Sequence, residues 1–422
     1  VIALSELIEM KNGQLQVPDN PQIPYLQGDG IGPEIWQATQ PVLDAAVKRA
    51  YQGRRKIDWL PLLAGERAHE LVDEWLPQQT IMELKRHLVA IKGPMTTPVG
   101  TGHRSINVAL RQTLDLYACW RPIRYFAGVP SPVRHPERVC IDLFRENTED
   151  IYAGIEASAD SKAAQSLKKW LQETDQLQRV RFPDTAAFGI KPISKEGSQR
   201  LIQSAVDYAL KNHRHYLTLV HKGNIMKETE GGFKKWGYQL IEQKYANRVL
   251  PMPRLEKIKK EQGEAVAQQV LQQAQAQGML IVNDIICDNF FQQALLFPEH
   301  FDVVATMNLN GDYLSDALAA QVGGLGIAPG SNINFQTGCA IFEATHGTAP
   351  QLAGKNCANP TSLILSGAMM MEYLGWGKAA EMIRKAVAQA IAMQKATSDL
   401  VPAPAALSTS QYGQLLVELI NS

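Results

Sequence analysis

Short apolar runs that break off in charged or amide residues recur along the chain. LVAIKGP runs into Lys92, and VCIDLFREN ends at Arg145, Glu146 and Asn147. YLTLVHKGN ends at His221, Lys222 and Asn224, MLIVNDIICDN at Asp288 and Asn289, and FDVVATMNLNGD at Asn310 and Asp312. Runs of this length, rich in β-branched residues, predict buried strands with polar groups at their exits. One polar strand end can simply mark a surface turn. Five that carry Arg, Lys and Asp suggest a ligand site near the carboxyl ends of strands in an open sheet.

Between these runs the period changes. PEIWQATQPVLDAAVKRAY sets Ile35, Val42, Leu43, Ala46 and Val47 at helical spacing, and EGSQRLIQSAVDYALKN is similar. Residues 264–277, rich in Ala and Gln, predict a surface helix. Residues 157–194 are polar with weaker periodicity and predict an arm or an interface element. No repeat at solenoid periods is visible. Strand alternating with helix predicts an α/β fold.

The turn YLQGDGIGPEIW, residues 25–36, resembles a dinucleotide-binding loop but misses its pattern by one residue. Gly28 and Gly30 fill the first two places of G-x-G-x-x-G, whereas Pro33 occupies the third and the remaining glycine, Gly32, comes early. Proline suits a first helical turn, not close helix–strand packing. The fingerprint therefore fails by one residue, and spacing alone leaves the role of this loop open.

Composition narrows the function classes. The 422 residues carry 42 Lys+Arg against 42 Asp+Glu, a formal net charge of zero. That lacks the electrostatic footprint of a general nucleic-acid binder, so any anionic ligand needs a local cluster of cations. Cys119, Cys140, Cys287, Cys339 and Cys357 form no C-x-x-C pair. Neither a disulfide framework nor a structural zinc site is expected, and a reducing cytoplasmic setting fits. VIALSELIEMKNG is too short and too acidic for a signal peptide, and no apolar run approaches the ~20 residues of a membrane span.

Several segments carry candidate chemistry. In GDYLSDALAAQVGG, Asp312 and Asp316 would share one helical face with Cβ atoms ~5–6 Å apart. This pair suits either a hard divalent cation, with Asp288 as a possible third carboxylate, or a solvated helix start. Arg104, Arg111, Arg121 and Arg124 crowd one segment and Arg145 follows another strand; together they suit a polycarboxylate, and singly they suit surface salt bridges. Ser105 and Asn107 add neutral hydrogen bonds; Ser105 has no nearby base to make it a nucleophile. Tyr152 and Lys222 become acid/base groups if neighbouring cations lower their pKa values, and are otherwise a packed Tyr and a solvated Lys. FEATHGTAP gathers small residues beside His346 that would let the backbone approach a phosphate, or form an ordinary turn.

Taken in order, GDGIG, IKGPMTTPVG, RSINVALR, LDLY, FRENTEDIYAGIE, VHKGNIMK, MNLNGDYLSDALAAQVGG and FEATHGTAP resemble the isocitrate/isopropylmalate dehydrogenase family over nearly the whole chain. Within it the chain looks like the decarboxylating isocitrate dehydrogenases of the bacterial homodimeric type. The resemblance implies an α/β, non-Rossmann fold with a large cofactor-binding domain (1–116 and 325–422), a small domain (117–149 and 195–324) and a dimer-forming clasp (150–194). It implies oxidation and decarboxylation of isocitrate, a tricarboxylic acid cycle reaction. Ser105, Asn107, Arg111, Arg121 and Arg145 would contact isocitrate. Asp312 and Asp316 would ligate Mg²⁺ or Mn²⁺ with Asp288 of the partner subunit. Lys222 of the partner subunit would help deprotonate the C2 hydroxyl, and Tyr152 would protonate C3 after CO₂ leaves. Ile31, Thr96, Thr97, His346, Gly347, Thr348, Ala349, Gln351, Leu352 and Asn359 would line the cofactor.

The chain departs from the family where the NADP 2′-phosphate is held. Gln351 and Leu352 replace a Lys-Tyr pair, a gap-free alignment puts Ser398 and Pro402 at two later positions, and Phe297 replaces a partner arginine. Hydrogen bonds to a charged group contribute about 1.5–3 kcal/mol each, so their loss predicts NAD instead, with Asp399 nearby for the ribose. An isopropylmalate or homoisocitrate dehydrogenase of the same fold is the nearest rival; isopropylmalate needs an apolar patch where Ser105 and Asn107 stand. A non-catalytic regulatory subunit is disfavoured because the acid/base and metal positions are all filled.

Overall fold

The computed structural model describes residues 6–96 and 105–422. In chain order, β1 (Glu9–Lys11) and β2 (Gln14–Gln16) form a small ribbon. Next come β3 (Gln22–Leu26), β4 (Asp58–Pro61), β5 (Val89–Lys92), β6 (Ala118–Arg124) and β7 (Cys140–Glu146). A second ribbon pairs β8 (Ile155–Ala157) with β9 (Phe188–Ile190). Then follow β10 (Tyr216–His221), β11 (Val249–Pro251), β12 (Leu280–Ile286), β13 (Val303–Thr306), β14 (Pro329–Ile333) and β15 (Ala340–Ala344).

Eleven of these strands make one sheet, in the order β11-β12-β10-β13-β7-β6-β14-β15-β5-β3-β4. The first five strands pair in parallel, as do the last four. Antiparallel pairing of β7 with β6, β6 with β14, and β14 with β15 joins the two halves. The sheet is thus not the uniformly parallel, doubly wound type, in agreement with the failed glycine fingerprint. The apolar runs expected as buried strands are β5, β7, β10, β12 and β13. All four residues of β5 and all four of β13 are buried, as expected when helices cover both faces of a sheet.

The helix expected after the glycine turn runs from Gly32 to Tyr51 and buries Ile35, Trp36, Val42, Leu43, Ala46 and Val47. It packs against the helices Thr361–Tyr373, Gly377–Ala392 and Thr409–Asn421. Every residue from Thr361 to Met371 is buried, so this helix is core on all sides rather than amphipathic. The Ala/Gln-rich segment forms a helix, Glu264–Ala276, as expected. It packs on the helix Met252–Gln262 across the β11–β12 edge around a small core of Leu250, Leu255, Ala267, Ala274 and Ile281. The polar stretch 157–194 supplies the helix Lys162–Glu173, capped by Ser161, and the β9 strand of the second ribbon. It leaves Trp170, Phe182 and Ile190 exposed. No described helix is long and apolar enough to cross a membrane.

The opening turn ties the two ends of the chain together. The Ile31 N–H donates to the Thr348 carbonyl at 2.9 Å, and Asp29 accepts from the backbone N–H groups of Glu66 and Thr96 at 2.9 and 2.7 Å. Gly30 sits at φ +58° where a Cβ would lie 2.2 Å from the Thr348 oxygen. Gly30→Ala should therefore cost roughly 1–3 kcal/mol through overpacking. In urea unfolding this predicts a lower midpoint at an unchanged slope; a midpoint equal to that of the parent chain would contradict the close approach.

Candidate active site

The β7 strand delivers Arg145 to the start of the helix Asn308–Gln321. The Arg145 side chain is 1% exposed. Its Nε donates to Asn308 Oδ1 at 2.9 Å and its Nη1 donates to the Asp312 carboxylate. Gly311 permits this approach, since a Cβ there would stand 2.5 Å from the Arg145 side chain. Asp316, one helical turn beyond Asp312, pairs with Arg121 of β6 at 3.2 Å, and Arg121 also donates to Ser315 Oγ at 2.5 Å. The expected helix face carrying Asp312 and Asp316 is present. Arg111, on the helix Ile106–Thr113, contributes a third guanidinium.

Arg124 points elsewhere. Three residues along a strand reverses the face, so Arg124 bonds instead to Asp142 at 2.6 Å, a carboxylate it shares with Arg214. Arg104 and Thr97 lie outside the described residues.

Charge is balanced closely around these arginines. Burial, with Arg111 and Arg121 nearby, holds Arg145 below the ordinary arginine value. Burial alone would raise Asp312, but Arg145, the Tyr152 hydroxyl and the other arginines outweigh it and hold Asp312 below the usual carboxylate range. Tyr152 donates to Asp312 Oδ2 at 2.5 Å, and Arg145 lies 5.0 Å from its ring centroid. Burial, and donation to an anionic carboxylate, push the Tyr152 pKa up to about 12. Arg145 acts in the other direction and is outweighed. A hydroxyl in this state is a proton donor.

Lys222 and Asp288 form a separate pair in which the lysine donates to the carboxylate. Asp288 is not gathered with Asp312 and Asp316 in one chain: the described residues contain no group of three or more His, Cys, Asp or Glu placed to hold a metal ion. The Asp288 helix, Cys287–Leu296, exposes Phe291, Leu295 and Leu296, and Phe297 follows. An apolar stretch of this kind beside a polar pair is the character of a protein-contact face.

The cofactor positions converge from both ends of the chain. Ile31 bonds Thr348, and Thr96 Oγ1 donates to Glu66 at 2.9 Å. His346 Nδ1 lies 2.9 Å from the Gly347 carbonyl, while its Nε2 is buried without a hydrogen-bond partner among the described residues. Ala349 adopts φ +39° and leads into the exposed turn Pro350–Leu352, which carries Gln351. Asn359 donates to Asp399 at 2.9 Å, and Thr397 donates to the same carboxylate at 2.5 Å. Asp399 is therefore committed to holding Asn359. Ser105 precedes the helix Ile106–Thr113, and Asn107 Oδ1, Arg111 Nε and Arg121 Nε are buried with no hydrogen-bond partner among the described residues. Buried polar groups ordinarily have partners, so these atoms mark where a polar ligand would bind.

Two residues given no role from sequence complete the floor. Lys92, at the end of β5, pairs with Glu343 of β15 at 2.7 Å, and Glu343 also accepts from Arg111 at 2.9 Å and Asn332 at 2.7 Å. LVAIKGP had marked Lys92 as a polar strand exit. Nothing local in FEATHGTAP marked Glu343 as its partner, because the register of β15 against β5 sets that pairing.

The family pattern described as isocitrate/isopropylmalate dehydrogenase matches residues 22–416. The chain belongs to the isocitrate/isopropylmalate dehydrogenase family. A relative from Streptococcus mutans, named isocitrate dehydrogenase [NADP], is 52% identical over 98% of this chain and 99% of that protein. One from Staphylococcus epidermidis with the same name is 50% identical over the full length of both. The crystal structure of isocitrate dehydrogenase from Methylococcus capsulatus matches with a TM-score of 0.76 at 35% identity, covering 95% of this chain and 99% of that one.

These relatives overturn the expectation of NAD, since their printed names specify NADP at about half identity over the whole chain. The expectation tested only residues 351, 352, 398, 402 and 297. Exposed Lys355 stands in the same turn, its N–H donating to the Leu352 carbonyl at 3.2 Å. Lys355 is a cation three residues beyond Leu352.

Glu343 generates a pH prediction. Burial opposes its charge, but Lys92 and Arg111 hold its pKa below the unfolded value of 4.5. Its stabilising contribution is then fully present above about pH 4.5 and is lost as pH falls through the lower folded value. Glu343→Gln should lower the thermal midpoint at pH 7, since breaking a buried pair costs about 3–5 kcal/mol, and should flatten the decline on acidification. An unchanged midpoint at pH 7 would contradict this.

Proposed function

We propose that this chain catalyses the oxidative decarboxylation of isocitrate to 2-oxoglutarate and CO₂, with NADP as the hydride acceptor and Mg²⁺ or Mn²⁺ bound. The observation that carries the reading is the pairing of Arg145 with Asp312 and of Arg121 with Asp316, with Arg111 near enough to help hold Asp312 ionised and the Tyr152 hydroxyl bonded to Asp312. Three guanidiniums match a tricarboxylate, and Arg forks bind carboxylates in two-point fashion. Ser105 and Asn107 make the remaining wall polar, which suits a carboxylate at C3 better than an isopropyl group.

The residues fit a hard cation in part: Asp312 and Asp316 offer oxygen ligands on one helix face, and Asp288 of the partner subunit would supply the third. When bound, the cation polarises the C2 oxygen and NADP supplies the hydride acceptor. The partner's Lys222 would take part in removing the C2 hydroxyl proton as the neutral amine, once the partner's Asp288 turns from it to the cation. Arg111, Arg121 and Arg145 would orient the carboxylates so that the C3 carboxylate leaves. Tyr152, kept protonated, would deliver its proton to C3. Lys92 and Glu343 hold Arg111 in place. The exposed apolar residues on the Cys287–Leu296 helix and on the β8–β9 arm support a homodimer with shared sites. Free thiols on all five cysteines support a cytoplasmic setting.

For the 2′-phosphate, Lys355 supplies the cation in this reading. Initial rates with isocitrate and Mg²⁺ test it directly. The expected outcome is a higher kcat/KM with NADP than with NAD, negligible turnover of 3-isopropylmalate, and a selective rise in KM for NADP in Lys355→Ala. A preference for 3-isopropylmalate would overturn the substrate assignment; an unchanged KM for NADP in the variant would overturn the role of Lys355.

A further inference from the structure

Beneath the site lies a buried charge cluster that none of the assigned roles uses. Asp150 and Glu230 are both 0% exposed. Lys191, just past the end of β9, pairs with Asp150 Oδ1 at 2.7 Å and with Glu230 Oε1 at 2.9 Å. The other oxygen of each carboxylate reaches a backbone segment that carries a candidate catalytic side chain. Asp150 Oδ2 accepts from the Leu309 N–H at 2.9 Å, three residues before Asp312. Asp150 also begins the short turn Asp150–Ala153 that presents Tyr152. Glu230 Oε2 accepts from the Lys222 N–H at 2.9 Å and from Asn310 Nδ2 at 2.8 Å. One ammonium therefore holds two carboxylates that clamp the Tyr152 turn, the start of the Asp312 helix and the Lys222 backbone.

We propose that Lys191 is a positioning residue that sets Tyr152 and Asp312 on one side and Lys222 on the other. This rests on the functional reading above. In that reading Tyr152 and Lys222 of one chain serve different sites of the dimer, so Lys191 is the mechanical link between the two sites. The ion pairs explain why the link is rigid. Two fully buried carboxylates need their countercharge and backbone donors satisfied together, and removing one partner leaves buried charge unpaired. The residue does not touch the substrate. Its loss should leave the Arg111, Arg121 and Arg145 cluster to bind isocitrate as before and should displace the groups that move protons.

The test compares Lys191→Met and Lys191→Arg with the parent enzyme in steady-state assays with isocitrate, Mg²⁺ and NADP. A displacement of about 1 Å can cost up to ~100-fold in rate. The expected result is a kcat lower by about 10- to 100-fold in Lys191→Met, with KM for isocitrate changed less than about 2-fold, and recovery of most of kcat in Lys191→Arg. An unchanged kcat in Lys191→Met, a loss carried by KM, or no recovery with arginine would overturn the proposal. Should Lys191→Met fail to fold, Asn310→Ala removes only the Glu230 link to the Asp312 helix. The same kcat-specific loss is expected there at smaller size, and an unchanged kcat would overturn the proposal. An inactive parent enzyme would instead refute the functional reading, which separates the two failures.

Discussion

The site is organised by the burial of Arg145. A guanidinium this deeply enclosed needs its charge met within the protein, and Asp312, Asn308 and the Tyr152 ring meet it. That requirement draws the end of β7 against the first turns of the Asn308–Gln321 helix. It also brings Tyr152 within hydrogen-bond reach of Asp312 and leaves the Arg121–Asp316 pair one turn further on. The direction of each pKa shift follows. The arginines hold Asp312 ionised, and burial together with the ionised Asp312 holds Tyr152 protonated. A carboxylate fit for a cation and a hydroxyl fit to donate a proton come from one arrangement.

The same chain presents two separate groups of candidate site residues. Arg145, Tyr152, Asp312 and Asp316 form one group; Lys222 and Asp288 form another, beside exposed apolar residues. Neither group contains everything the proposed chemistry needs. Two copies related by a twofold axis would complete both sites at once, since an isologous interface exchanges the same patches. The buried Lys191 cluster lies between the two groups within a chain, where it can hold them at a constant separation.

Much of this was legible in local sequence. The strand exits at Lys92, Arg145, Lys222, Asp288 and Asp312 were visible because a polar residue ending an apolar run is a short-range pattern. The Asp312–Asp316 face was visible because helical spacing is local too. What stayed hidden was set by pairing across the sheet. Arg124 looked like part of the arginine cluster until the alternation of β6 turned it to the Asp142 side. Glu343 and Lys191 gave no signal, because their partners come from distant elements. The state of Tyr152 was hidden for the same reason: nearby cations were legible, whereas its burial and its bond to Asp312 were not. The cofactor was not legible from the fixed positions 351, 352, 398, 402 and 297, since a phosphate can be met by any cation that reaches it.

The central claim is that each active site takes Tyr152 from one chain and Lys222 from the other. Mixing two inactive variants tests it most directly. Tyr152→Phe and Lys222→Met are unfolded and refolded together in equal amounts, and isocitrate turnover is compared with that of each variant refolded alone. Random pairing makes half of the dimers mixed, and each mixed dimer contains one intact site, so recovery to about a quarter of the parent activity is expected for a twofold dimer. No recovery above the separate variants, with mixed dimers present, would contradict the account, because it would mean that both residues act within one chain.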